Sequence, residues 1–196
     1  MATKPTVLLV HGAFADASGY SGIIRLLQEE GIDARGPVNP LRSLASDADA
    51  VARYASTVDG PILLVGHSYG GAVISEAAPA IKNVVGLVFL AALTPDVGES
   101  CVSVQAAFPP APVGQSIIPT PYEAPGAAGG PDLFIKIEDF HEAFCADLSE
   151  DIAGPMAVSQ YHGVPPYRET REYIGLVYDR WSRIVRDVTG VVIPRS

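Results

Sequence analysis

Five residues, Gly66-His67-Ser68-Tyr69-Gly70, constrain this 196-residue chain more than any other feature. They follow a continuous apolar run at 62–65 and precede a helical pattern at 70–80. For a serine to stand at the tip of a strand with a helix starting behind it, the backbones two residues to either side must come close together. Glycine at 66 and 70 leaves room for that turn. The chain therefore places strand, strained turn and helix in succession, with the Ser68 hydroxyl projecting and the helix N-terminal amides and dipole beside it. That arrangement makes Ser68 a candidate nucleophile.

The surrounding pattern predicts an α/β fold with a mostly parallel sheet and helices on both faces. Short apolar runs alternate with helical spacing, the signature of parallel strands joined by crossover helices. Residues 6–10 are apolar without a break, as expected of a strand covered on both sides. Tyr20, Ile23, Ile24 and Leu27 repeat at helical spacing and stop at Gly31. A second strand is expected at 32–38. Ser46 or Asp47 can cap a helix whose inward stripe is Val51, Tyr54, Ala55 and Val58, ending at Gly60. Strands at 62–65 and 84–90 complete four βα units.

His11-Gly12-Ala13-Phe14 leaves the first strand as the serine loop leaves the third. With strand order 2-1-3-4 the two loops meet where the order reverses, the place where open α/β sheets bind ligands. The backbone N–H groups of Tyr69 and Ala13 are then the expected oxyanion donors, and Phe14 and His11 the expected substrate-binding residues.

Charge and apolar content exclude other classes. Thirteen Lys and Arg against twenty-two Asp and Glu give a formal charge of −9, which repels a phosphate backbone. No apolar run approaches the roughly 18 residues that span a bilayer. The expected partner is a small-molecule substrate, with no nucleic acid and no membrane. Residues 6–10 run straight into His11-Gly12 with no apolar leader, so the expected location is the cytoplasm. Cys101 and Cys145 make neither a disulfide framework nor a zinc cluster, and no metal site is expected.

Residues 1–96 read as the core and 97–160 as a lid or cap. Seven prolines and four glycines fall between 109 and 131, too dense for regular structure. A short hairpin or edge strand is expected at 132–138 and a helical stretch at 137–159, which makes His141 a lid side chain. Residues 161–196 form an atypical tail. Tyr173, Ile174, Val177, Trp181, Ile184, Val185 and Val188 space as an amphipathic helix closed by Gly190.

The motifs Val10-His11-Gly12-Ala13-Phe14, Val65-Gly66-His67-Ser68-Tyr69-Gly70-Gly71 and Val88-Phe89-Leu90-Ala91-Ala92-Leu93-Thr94-Pro95-Asp96 resemble the α/β-hydrolase family. The similarity is to the branch with small-ester esterases, plant methyl-ester esterases and hydroxynitrile lyases, and it covers roughly residues 5–160. It implies a serine nucleophile, a histidine base, an Asp or Glu orienting that base, and no cofactor or metal. It also implies structural roles for His11 and His67.

Members resembling this chain continue into two further strands, with an Asp soon after the first and the catalytic His after the second. Residues 161–196 show neither pattern, so the C-terminal part is expected to be incomplete. His162 is the only histidine in the chain order Ser, acid, His. Asp96 follows the fourth strand, where some hydrolases on this fold carry the acid; the alternative is that it turns the loop beside Pro95. Seven Lys and Arg face eighteen acids up to residue 160, against six Arg and four acids beyond it. A shifted reading frame or divergent terminus would produce that change, while the regular helical spacing speaks against random translation. Three readings stay open: a serine hydrolase or lyase on a small apolar ester or amide, a catalytically impaired or non-catalytic ligand-binding homologue, and a truncated product with its fourth strand exposed.

Overall fold

The computed structural model describes residues 4–121 and 131–160. Strands β1 (Thr6–Val10), β2 (Ala34–Arg35), β3 (Ile62–His67) and β4 (Val84–Leu90) form a parallel sheet in the order β2-β1-β3-β4. This is the α/β arrangement expected from the sequence, with the order 2-1-3-4 under which the His11 and Ser68 loops meet.

The apolar runs at 6–10 and 62–65 are continuous because alternate side chains enter different cores. Leu8, Val10, Ile62 and Leu64 point into one cluster with helices α2 (Leu44–Ala55) and α3 (Tyr69–Ala77). Val7, Leu9 and Val65 point into the other, against Tyr20 and the partly buried Ile24 and Leu27. Ile24 and Leu27 lie on α1 (Ser21–Glu29). Each fully buried aliphatic side chain contributes about 1.5–3 kcal/mol. Among the described strands β4 is an edge, and its Val85, Val88, Phe89 and Leu90 are exposed.

The residues expected to form a lid build a second assembly. A single 3-10 turn at Pro112–Ser116 leads into β5 (Ile117–Thr120), which pairs antiparallel with β6 (Asp132–Ile135). Helices α5 (Ile137–Phe144) and α6 (Glu150–Ser159) follow. Their core is Ile135, Phe140, Ala153 and Ala157, joined by Ala13 and Phe14 from the loop after β1. Helix α4 (Cys101–Gln105) sits apart: its Cys101 packs into the sheet-side cluster.

Four expectations change in detail. Helix α2 is capped by Ser43, whose hydroxyl accepts the Ser46 N–H at 3.0 Å, and not by Ser46 or Asp47. Strand β2 shrinks to two residues. The Pro-rich stretch carries β5, because Pro119 stands in a two-stranded ribbon beside Leu133 where the missing N–H is tolerated. The helical stretch at 137–159 is two helices, broken where Cys145 leaves helical conformation and Leu148 N–H turns back to Cys145 O. The helix expected from Tyr173 to Val188 lies outside the described residues.

Candidate active site

The register Val10↔Gly66 brings the ends of β1 and β3 side by side, so the His11 loop and the serine turn emerge from adjacent strand ends. Ser68 has φ 53 and ψ −125, a left-handed conformation costly for a residue with a Cβ. The neighbouring glycines show how tightly it is packed. A Cβ on Gly66 would lie 2.5 Å from Gly70 O, and one on Gly70 would run into Val10 O. A Cβ on Gly12 would meet Ser68 Cβ at 2.8 Å and Ser68 Oγ at 3.2 Å. The two loops are thus in contact, and glycine is what lets them meet.

Ser68 stands at the N-cap of α3, yet among the described residues its side chain makes no capping hydrogen bond. Ser43 and Ser100, at the same position of α2 and α4, both accept backbone N–H groups through their hydroxyls. The Ser68 carbonyl oxygen instead accepts Gly71 N–H at 3.0 Å and Leu93 N–H at 2.9 Å, anchoring the turn, and the residue is half-buried. Tyr69 opens α3 fully buried, and its hydroxyl donates to Asp47 Oδ2 at 3.0 Å.

Asp47 is itself completely buried, on α2. Its Oδ1 accepts the Arg42 N–H at 3.0 Å and the Ser46 hydroxyl at 3.3 Å. Burial pushes the carboxyl above its usual range, and the Arg42 amide and Tyr69 hydroxyl pull it back in part. Sequence reasoning placed Asp47 only as a possible cap. The signal that could have found it is its spacing of four from Val51 and eight from Ala55, which puts an acid on the buried stripe of α2.

The remaining candidates fall in different places. His11 is buried; its Nδ1 lies 2.9 Å from Gly12 O, and its Nε2 accepts the Asn39 N–H at 3.2 Å. Those partners require the proton on Nδ1, and burial lowers the ring's pKa, so the imidazole is neutral. Asn39 returns the contact, its Nδ2 donating to His11 O at 2.9 Å. Ala13 is buried beside this loop. Phe14 has φ 64 and meets Phe144 edge-on at 6.3 Å, inside the lid core.

Asp96 is exposed, and its Oδ1 accepts the Val97 N–H at 2.6 Å in a turn closed by Glu99 N–H to Asp96 O. His67 is half-buried, and burial lowers its pKa. His141 Nε2 lies 2.7 Å from Leu148 O. His162 lies outside the described residues. No helix among the described residues is long and apolar enough to cross a membrane.

Comparison with known proteins agrees with the fold. A model of the alpha/beta hydrolase family matches residues 7–194. A probable hydrolase of a Phoma species is 35% identical over 114 residues, which cover 50% of this chain and 46% of the relative. The chain therefore spans about half the length of that curated relative. Among solved structures, polyneuridine aldehyde esterase superposes with a TM-score of 0.75 at 16% identity, covering 92% of this chain and 78% of its own. A pyrethroid hydrolase from Sphingobium faniae reaches a TM-score of 0.71 at 20% identity, covering 90% and 75%.

Proposed function

The chain belongs to the alpha/beta hydrolase family, and from that premise we propose that it is a serine hydrolase acting on a small apolar ester or amide through an acyl-enzyme on Ser68. The observation that carries this reading is the left-handed Ser68 at the end of β3, pressed against Gly12 and followed at once by α3.

In this reading the Ser68 Oγ attacks the substrate carbonyl carbon while its proton passes to a base, and the carbonyl electrons move onto oxygen. The resulting oxyanion is stabilised by the N–H groups of Tyr69 and Ala13. Collapse re-forms the carbonyl, breaks the bond to the alcohol or amine, and the base returns the proton to that leaving group. Water then repeats the sequence on the acyl-serine. The base is assigned to His162, the only histidine in the chain order Ser, acid, His, and the acid to Asp96, which follows β4. The apolar lid core beside the His11 loop supports a small apolar substrate, and the acidic balance of the chain supports a small-molecule partner over nucleic acid.

A second reading, a ligand-binding homologue without turnover, draws on the Asp96 carboxylate being spent on its own turn and on His11 being held by backbone partners. A fluorophosphonate probe separates the two. Labelling that Ser68→Ala abolishes and His162→Ala slows by about 10⁴ or more supports the triad. No labelling of the native protein, with ligand binding that survives Ser68→Ala, establishes the second reading.

A further inference from the structure

We propose that Asp47 is a positioning residue of the Ser68 site: through the Tyr69 side chain it holds in place the backbone N–H of Tyr69 that receives the oxyanion. The inference rests on the serine-hydrolase reading and adds a residue to it.

Ser68 is strained, and a strained backbone persists only where its surroundings over-determine it. On one side the restraint is steric, Gly70 lying against Val10 O and Gly12 against Ser68. The Ser68–Tyr69 peptide is also held through its own carbonyl, which accepts the Gly71 and Leu93 N–H groups. The Tyr69 side chain adds a restraint at the next Cα, because the residue that offers the oxyanion amide also sends a fully buried phenol across to α2, where it donates to Asp47 Oδ2 at 3.0 Å. The amide is thus fixed from the carbonyl side by backbone partners and from the Cα side by the phenol.

Packing alone does not ask for this bond. Phenylalanine would fill the same volume without bringing a hydroxyl and a carboxylate out of water. The carboxylate is in turn well fixed. It lies in the first turn of α2, where the helix dipole favours negative charge, and its Oδ1 takes the Arg42 N–H and the Ser46 hydroxyl. Arg42 also reaches the lid, its guanidinium pairing with Asp132 Oδ1 at 3.0 Å at the start of β6. The anchor of the oxyanion amide is therefore tied to a residue that touches the lid.

The experiment measures fluorophosphonate labelling of Ser68 in the full chain, separating the maximal rate from the apparent affinity for the probe. Asp47→Asn and Tyr69→Phe are each expected to lower the maximal rate about 10- to 100-fold with the affinity unchanged, since a misplaced oxyanion donor costs transition-state and not ground-state binding. The double variant is expected to be no slower than the slower single, because both cut one bond. Asp49→Asn, in an exposed pair with Arg53 on the same helix, is expected to label at the native rate. Folded single variants that label at the native rate, or that lose affinity instead, overturn the proposal. It also falls if neither variant folds, since the bond then serves folding. A native protein that does not label overturns the serine-hydrolase reading itself, which is a different result.

Discussion

The sheet and the lid close their cores by different means. In the sheet, residues two apart enter the same cluster, and a slip of one residue would send Leu8 and Val10 to the wrong face. In the lid, short elements gather around Phe140 and Ile135, and one side chain takes the place of a strand. Gln160, buried after α6, accepts the Ile135 N–H through Oε1 at 2.8 Å and donates through Nε2 to Ile135 O at 2.8 Å. Its carboxamide satisfies both backbone groups of Ile135, as a neighbouring strand would. Continuous ladders make a frame that holds a strained turn; single side-chain staples tie short elements into a smaller core of their own.

The sharpest way to break this comparison is to cut each core at its centre. Leu64→Ala is expected to lower global stability by about 2–5 kcal/mol in denaturant unfolding, with amide exchange rising throughout the sheet. Phe140→Ala removes a comparable amount of packing, about 3–5 kcal/mol, but its faster exchange should be confined to β5, β6, α5 and α6. Sheet amides exchanging equally fast in Phe140→Ala would show one cooperative unit.

A smaller cut tests the staple. Gln160→Leu leaves the Ile135 N–H and C=O without their partner and is expected to cost about 1–3 kcal/mol, read as faster exchange at β6 with sheet amides unaffected.

Acid should act on the sheet side. His11 and His67 both have pKa values lowered by burial, so below the ordinary 6.5 the unfolded chain binds protons that the folded chain does not. Stability is then fully present above about pH 6.5 and falls as pH drops from there toward the folded values. Asp47 works in the opposite sense, since its raised pKa favours folding in acid and that contribution is lost as pH rises through the folded value. Denaturation midpoints between pH 7.5 and 5.5 should decline, and His11→Gln should flatten the slope; an unchanged slope would remove His11 from the account.

The smallest expected effect lies on the bond joining the two regions. Asp132→Asn, which weakens the part-buried pair with Arg42, should cost about 0.2–1 kcal/mol, less in high salt. Exchange at β6 should report it before any change in the sheet.

Legibility in the sequence follows the same division. The runs at 6–10 and 62–65 were readable because a strand covered on both faces carries its own apolar signal, and the run at 84–90 carries the same signal although β4 is exposed among the described residues. The elbow was readable because Gly66 and Gly70 are demanded by backbone closeness within five residues. The lid was not readable in detail. Where its helices break depends on Cys145 and Leu148 turning together, and β5 exists because a partner strand follows the Pro-rich loop. Phe14, expected to line a substrate site, is packed in the lid core against Phe144, a contact spanning well over a hundred residues of sequence.

The sequence by itself determined the strands, the crossover helices and the place of Ser68, because these follow from local periodicity and from glycine where no side chain fits. The tertiary structure alone decided that the Asp47 carboxylate meets the Tyr69 hydroxyl, that Gln160 stands in for a strand, and that the Asn39 N–H meets His11 Nε2. Each of these is a bond between groups more than twenty residues apart. No local pattern encodes such a partner, since what selects it is the cost of burying a polar group alone.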